Sequence, residues 1–399
     1  MRLHNGSLYW PETEVDKKKY PTLEEDITCD VLIVGGGVAG ALCAEEFSRT
    51  SLKTTLVEKS TIGSGSSSAN TGLLQYSNDT MLHEFIEDIG EEKAVRLYKL
   101  CLEAVEELQQ VTETLSHTVE FVRRPSLYYA SNKKGVAKIK KEYKVLKKHG
   151  FKVDLLDKEK IIELYGFEKL AAIMTYGDAE VNPYRLVRAL IDKAHTRKVS
   201  IYEHTEIKEG GTDGEYVRFE SPKGTILSKK VIYSTGYETV PFAEKLGADI
   251  NRTYAITTTP INDFPKWTNR ELIWETKRPY FYMRTTEDGR IIAGGLDEDK
   301  REAPLDEDII KDRGQRLLDR VKEHFPAYNI EVSHAWAASF GESDDGLPFI
   351  GRHPDKEKVY YCLGFGGNGT VYSKFGAKLL CQMLHGIENE DAEIVRLYR

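Results

Sequence analysis

Short apolar runs alternate with amphipathic stretches along this chain, and their spacing predicts an α/β protein. Val31 to Val34 is a continuous apolar run, the pattern of a strand buried on both faces. Ala41 to Arg49 follows as a helix and Thr54 to Val57 as a second buried strand. Between residues 80 and 115, Phe85, Ile89, Val95, Leu97, Leu100, Leu102, Val105 and Leu108 fall at helical spacing, which predicts a pair of helices. Residues 118–130 read as strands. Residues 133–165 read as helix, with Asp154-Leu-Leu-Asp157 ahead of a second short one. A turn is expected at Asp178 and Pro183, then a helix toward Lys193 and a strand at Ser200 to Tyr202.

Residues 204–236 alternate apolar and polar positions between turns at Thr212-Asp213-Gly214 and Pro222-Lys223-Gly224, the signature of a β-meander. The meander ends in the buried run Val231 to Gly236. Residues 253–297 are rich in strand patterns, with a hairpin at Glu287-Asp288-Gly289. An amphipathic helix is expected over 306–324 and a last helix from Ser373 to Leu384, behind the glycine-rich stretches Gly346 to Gly351 and Gly364 to Gly369. Residues 1–27 are polar and read as an extended surface arm carrying Tyr9 and Trp10 as anchors. No internal repeat is visible.

Composition narrows the class. The 399 residues are enough for two domains with sizeable cores. A net charge of −8 and a pI near 5.8 argue against a nucleic-acid surface. The basic run Lys133 to Lys148 reads as the solvated face of a helix. The five cysteines, Cys29, Cys43, Cys101, Cys362 and Cys381, are widely spaced without a CxxC. They suggest neither a disulfide framework nor a metal site, and they suit a reducing, cytoplasmic compartment. The N-terminal stretch has no apolar core of a signal peptide, and no apolar run is long enough to span a membrane.

Candidate chemistry begins where the first strand meets the first helix. Gly35, Gly37 and Gly40 form G-x-G-x-x-G between them, and Glu58 ends the second strand. Together these make a βαβ unit of about 30 residues with a terminal acid, the context of a dinucleotide site. Gly35 would allow the tight turn, Gly37 the approach of backbone to a pyrophosphate, and Gly40 close helix–strand packing. The helix N-terminus offers free N–H groups to the phosphates. Glu58 would accept hydrogen bonds from a ribose diol and repel a 2′-phosphate, which argues against NADP. The fingerprint alone leaves FAD and NAD open. The hydroxyl- and glycine-rich segment after Lys59, through Gln75, reads as a cofactor-wrapping stretch.

Four blocks, VLIVGGGVAG with Glu58, SGSSSANTG, IYSTGY at Ile232 to Tyr237, and DGLPFIGRHP followed by YYCLGFGGNGT, occur in an order that resembles the D-amino-acid-oxidase-like FAD oxidoreductases. Glycine oxidase, monomeric sarcosine oxidase, D-amino-acid dehydrogenase and γ-glutamylputrescine oxidoreductase belong to that group. The resemblance implies an α/β fold with a discontinuous Rossmann-like FAD domain and a second α+β substrate domain on a mixed, largely antiparallel sheet. Residues 1–88, 168–246 and 336–399 would form the first, and 89–167 and 247–335 the second. It also implies FAD, held in the first block by Gly35, Gly37, Val38, Ala39 and Gly40, then by Glu58 and Lys59; non-covalent attachment is expected because Cys362, the one cysteine near a flavin block, reads as an inward strand residue. In the serine-rich block the holders would be Ser66, Ser67, Ser68, Asn70, Thr71, Gly72 and Leu73. Ile207, Thr235, Gly236 and Tyr237 would contribute from mid-chain, and Gly341, Gly366, Gly367, Asn368, Gly369 and Thr370 from the last part. The glycine loop would lie near the isoalloxazine, with the following helix pointing its N-terminus at the N1–C2=O region.

The chain also departs from that family. The arginine that clamps a substrate carboxylate after Trp336-Ala337 is here Phe340, and basic positions of the sarcosine-oxidase branch correspond to Gln75 and Asn368. Either Arg284 in YFYMRTT substitutes, or the substrate is an amine without that carboxylate. Arg284 has an alternative reading, pairing with Glu287 or Asp288 at the hairpin. Tyr254, Tyr280 and Tyr282 line an aromatic pocket on one reading and fill a sheet core on the other. The expected reaction is hydride transfer from the α-carbon of a neutral amine or amino acid to flavin N5, with Arg284, Tyr282, Gln75 and Phe340 at the substrate. Alternatives are a hydroxy-acid or polyol dehydrogenase on the same fold, an NAD-linked enzyme, or a flavin-binding subunit inactive alone. Oligomeric state stays open.

Overall fold

Strand Ile27–Val34 is hydrogen-bonded in parallel to Thr54–Val57 on one side and to Thr225–Tyr233 on the other, as its unbroken apolar run requires. The computed structural model describes residues 1–14, 17–239, 242 and 244–399. Among the described residues this sheet has eight strands. Ser200–Tyr202 extends it beyond Thr54–Val57, and Val359–Leu363 and Phe349–Arg352 extend it at the other side. The meander is present as Lys208–Asp213, Tyr216–Glu220 and Thr225–Tyr233. Val31 and Ile33 pack toward Leu42, Phe47 and Leu380 of helices Val38–Phe47 and Gly369–Leu384, while Leu32 joins Val217, Phe219 and Phe349 on the opposite face. Alternating side chains thus bury both faces of the strand.

The second sheet has ten strands among the described residues. Its order is His4–Gly6, Val332–Ser343, Ala248–Thr258, Ile291–Glu298, Tyr282–Thr285, Leu272–Glu275, Val122–Tyr129, Ala171–Glu180 and Leu73–Leu74, with Val153–Asp157 also paired to Ala171–Glu180. Pairing is antiparallel except between Leu272–Glu275 and Val122–Tyr129. Helix Glu307–His324 lays Ile310, Leu317, Leu318 and Val321 against Tyr254, Ile256, Ala293 and Ala337 on one face. The sheet crosses the segment boundaries expected from sequence. Leu73–Leu74, Ala171–Glu180 and the end of Val332–Ser343 belong to it although they fall in the segments assigned to the FAD domain.

Several elements differ from their sequence reading. The turn expected at Asp178 is instead the interior of strand Ala171–Glu180, and the chain turns at Asn182, whose side chain accepts from Arg185 N at 3.1 Å to cap helix Pro183–Thr196. Asp178 is fully buried and accepts from Tyr76 N at 2.9 Å and Thr175 Oγ1 at 3.3 Å; burial pushes its carboxyl up to about 6 against those bonds. Val153–Asp157 is a strand between helices Lys133–Lys148 and Lys158–Tyr165, where the polar Asp154 and Asp157 obscure the alternation. The lysines of Lys133–Lys148 are matched by acids of the preceding helices: Lys138 with Glu84 at 2.8 Å, Lys141 with Glu87 at 2.5 Å and Lys148 with Glu91 at 2.5 Å. The last helix starts at Gly369, inside the glycine loop, four residues before Ser373. The N-terminal arm is anchored rather than merely laid on the surface: His4–Gly6 pairs with Val332–Ser343, and Trp10 is fully buried. No helix among the described residues is long and apolar enough to cross a membrane.

Candidate active site and cofactor cradle

The tips of the central strands converge on the glycine turn. Gly35 leaves strand Ile27–Val34 with φ +109°, a conformation open to glycine. A Cβ on Gly40 would stand 1.9 Å from the Gly35 carbonyl oxygen, so helix Val38–Phe47 reaches this position only with glycine there. Glu58 is pinned beside the turn. Its Oε2 accepts from Gly36 N at 2.7 Å and its Oε1 from Ser60 N at 2.8 Å. Burial raises its pKa, opposed by those two backbone donors. Ser67 Oγ accepts from Val38 N at 2.9 Å, bringing the serine-rich segment over the helix N-terminus, which has no side-chain cap. Lys59 is exposed and pairs with Glu238 at 2.6 Å.

A cavity of about 1260 Å³ runs from this turn to the ten-stranded sheet. It is lined by Gly35, Gly37, Val38, Ala39, Glu58 and Lys59, and by Ser66, Ser67, Asn70, Thr71, Leu73 and Gln75. Ile207, Thr235, Gly236, Tyr237, Tyr282, Phe340, Gly366, Gly367, Asn368, Gly369 and Thr370 complete the expected part of its wall. Sequence blocks hundreds of residues apart are thus brought to one space.

Five expected residues stand behind the wall. Gly40 packs the helix as described. Ser68 Oγ donates to Gly65 O at 2.8 Å and holds the serine-rich turn. Gly72 has φ +74°, and a Cβ there would lie 2.2 Å from Val181 O. Gly341 lets Tyr237 and Phe365 close in, their rings 2.6 and 2.7 Å from where its Cβ would be. Arg284 is the substantive correction. Its Nε donates to Thr71 O at 2.7 Å, Nη1 to Thr285 O at 2.9 Å and Nη2 to Val181 O at 2.9 Å, and it lies over the Trp10 ring at 5.2 Å. It is buried outside the cavity wall, turned toward backbone and Glu180 at 3.7 Å, not toward Glu287 or Asp288. Burial lowers its pKa.

The donor set suits a flavin dinucleotide. Beyond the N–H groups that follow Val38 in the first turn of its helix, the cavity meets a second helix N-terminus, Gly369–Leu384. Asn368 at its start does not cap it. Its Nδ2 donates to Ser77 O at 2.9 Å and Asn78 Oδ1 at 2.8 Å, so the loop is held and the first amides stay available. Gly364 and Gly369 are in contact, a Cβ on the former being 2.5 Å from Gly369 O. Ser234 Oγ, also on the wall, is buried without a hydrogen-bond partner among the described residues.

The far wall is aromatic. Trp274, Tyr280 and Tyr282 line it, with Tyr280 and Tyr282 ring centroids 5.7 Å apart and Trp274 and Tyr280 6.4 Å apart, while Tyr254 borders the cavity with its ring packed toward helix Glu307–His324 and its hydroxyl toward Glu298. Trp274, Tyr282 and Tyr254 stand in strands of the sheet as well as on the cavity wall, and Tyr280 lies in the loop just before strand Tyr282–Thr285. Gln75 Nε2 donates to Ser126 Oγ at 3.2 Å, and Thr71 Oγ1 to Tyr282 OH at 3.4 Å. Asp79 Oδ2 accepts from Gly367 N at 3.1 Å, tying the glycine loop to the wall. Asp297, near Asp79, has its carboxyl raised to about 6 by burial. Sequence reasoning missed Trp274, which sits in ELIWE as an ordinary strand residue, and Asp79, which carries no motif. It also missed Leu3 and His4 of the arm, which line the cavity beside Ser64, Gly65 and Ser66.

Residues 30–383 match the family described as "FAD dependent oxidoreductase". The chain belongs to that family. Within it, the glycine oxidase of Geobacillus kaustophilus (strain HTA426) is 25% identical over 385 residues, 89% of this chain and 92% of that protein. A crystal structure of glycine oxidase from Geobacillus kaustophilus superimposes with a TM-score of 0.80 at 21% identity, covering 93% of this chain and 99% of the other. γ-Glutamylputrescine oxidoreductase of Escherichia coli (strain K12) is 24% identical over 396 residues, 95% of this chain and 89% of its own. A Bacillus subtilis (strain 168) protein named as a Rieske 2Fe-2S iron-sulfur protein, YhfW, is 29% identical over 205 residues; the match spans 51% of this chain and 39% of that one. Among the described residues no group of His, Cys, Asp and Glu is arranged to hold a metal.

Proposed function

We propose that this FAD dependent oxidoreductase oxidises a C–N bond of a small amine or amino acid to an imine, which water then hydrolyses. One observation carries the reading: the fingerprint turn, Glu58, the serine-rich segment and the 364–369 loop line a single cavity that Trp274, Tyr280 and Tyr282 also line. The names of the relatives, glycine oxidase and γ-glutamylputrescine oxidoreductase, support the substrate class. Glu58 would take the ribose diol, the Val38 helix start with Ser66 and Ser67 the pyrophosphate, and the glycine loop the flavin end. FAD, when bound, supplies the oxidising power by accepting a hydride from the carbon beside the nitrogen.

The chain's own residues set the stage for that exchange. Trp274, Tyr280 and Tyr282 exclude water and favour the uncharged amine, because burial penalises an ammonium that has no partner. The positive end of helix Gly369–Leu384 favours negative charge at the glycine loop. With Arg284 turned to backbone and Gln75, Phe340 and Asn368 uncharged, the substrate in this reading is an amine lacking a carboxylate next to the reacting carbon. A second reading, in which the substrate is an amino acid, is favoured by the relatives named glycine oxidase. FAD is held without a covalent bond in both, and the free cysteines suit a reducing, cytoplasmic setting.

The test is an anaerobic screen of flavin absorbance against primary amines, N-methyl amino acids and D-amino acids. Bleaching by carboxylate-free amines supports the first reading. Bleaching only by amino acids supports the second. A protein bleached by hydroxy acids and by no amine sinks both. Acid precipitation should leave the yellow flavin in the supernatant.

A further inference from the structure

The family match begins at residue 30, yet residues 3 and 4 line the cofactor cavity. The N-terminal arm therefore brings to the site residues that lie ahead of the family match. Strand His4–Gly6 pairs antiparallel with Val332–Ser343, setting His4 opposite Ala338 and Gly6 opposite Trp336. From that edge the arm reaches the serine-rich segment at several points. His4 Nε2 is 2.9 Å from Ser64 O, and the Leu3 side chain approaches to 3.6 Å of where a Gly65 Cβ would be. Trp10, with no exposed surface, donates from Nε1 to Asn70 O at 2.6 Å. Trp336 donates to the neighbouring Ala69 O at 3.0 Å, and Arg284 ties Thr71 O while lying over the Trp10 ring. Tyr9, Trp10, Ala69, Tyr184, Ala255, Ile292, Trp336 and Ala338 form a hydrophobic cluster of their own beneath these contacts.

Residues 64–71 are small and rich in hydroxyls and glycine, so their own side chains build little core. Three consecutive backbone carbonyls, of Ala69, Asn70 and Thr71, are instead satisfied by Trp336, Trp10 and Arg284. A segment fixed from outside in this way keeps Ser66 and Ser67 facing the cavity before any ligand arrives, and a preorganised segment loses less entropy on binding.

We infer that residues 1–13 are a cofactor-retaining clasp: the arm locks the serine-rich segment in its binding conformation and covers it, with Trp10 as the positioning residue. The inference rests on the FAD reading of the cavity. Its test measures FAD binding to deflavinated protein by calorimetry, and the melting temperature with and without FAD. The first variant is Trp10→Phe, which keeps a smaller aromatic ring and removes the donor to Asn70 O; the second deletes residues 2–6 and leaves Trp10 in place. Both should bind FAD about tenfold or more weakly and show a smaller FAD-induced rise in melting temperature, and the bound flavin of the deletion should be quenched more readily by iodide. Variants that melt lower with and without FAD alike, yet bind it within twofold of the parent, would overturn the clasp and leave the cofactor site standing. Parent protein that takes up no FAD would remove the cofactor reading itself. If the deletion fails to fold, Trp10→Phe alone decides.

Discussion

Arg284 tests the division between substrate clamp and structural tie. Replacing it with Met keeps much of its length and removes its donors. Three buried carbonyls, of Thr71, Val181 and Thr285, then lose partners now at 2.7 to 2.9 Å. Glu180 loses a guanidinium at 3.7 Å but keeps Arg124 at 2.9 Å. A buried polar group stripped of its partner costs roughly 1–3 kcal/mol, and neighbouring losses are not fully additive, so the expected destabilisation is about 3–5 kcal/mol. With an unfolding entropy of about 2.1 cal/mol/K per residue, that lowers the melting temperature of a chain this size by on the order of 5 °C. Arg284→Lys should recover less than half, because one ammonium cannot serve three carbonyls spread around a planar fork. Melting curves of the flavin-free protein give the first number, and KM for amines with and without a carboxylate gives the contrast. Unchanged melting, with KM rising at least tenfold only for carboxylate-bearing substrates, would refute the structural assignment and restore the clamp.

Two further expectations follow from individual groups. Glu58→Ala removes the acceptor for Gly36 N and Ser60 N along with the ribose partner; hydrogen bonds to a charged group are worth about 1.5–3 kcal/mol, so FAD affinity should fall roughly 10- to 100-fold by calorimetric titration. Asp178 has its pKa raised from 3.8 to about 6 by burial, so between those values the folded carboxyl holds a proton that the unfolded chain has released. Stability from this group is present below the lower value and lost as pH rises through the upper one, a change of order 3 kcal/mol. Urea midpoints from pH 4 to 7 should fall less steeply in Asp178→Asn than in the parent; equal slopes would remove Asp178 as the cause.

Local pattern was enough for the dinucleotide turn, whereas FAD itself was read from a resemblance spread over four distant blocks. A run such as Val31 to Val34 can only be buried on both faces, and G-x-G-x-x-G followed by an acid at the next strand's end has few other uses. Those constraints act over short stretches of chain, so they are written in adjacent residues. The second sheet was legible as strands but not as an assembly. Val153–Asp157 alternates too weakly to read, and Asp178 looks like a turn residue although its strand is buried by pairing with distant segments.

What only the tertiary structure decided was direction. Arg284 and Tyr282 stand in one strand, two residues apart, so alternation places them on the same side of the pleat; even so the tyrosine faces the cavity while the longer arginine is drawn behind it. The reason is that Thr71 and Val181 present carbonyls there, brought by chain more than a hundred residues away in sequence. The arm shows the same dependence. Its residues say only that Trp10 is large and apolar, and the free carbonyl of Asn70, left by a segment too small to build its own core, explains where that ring goes.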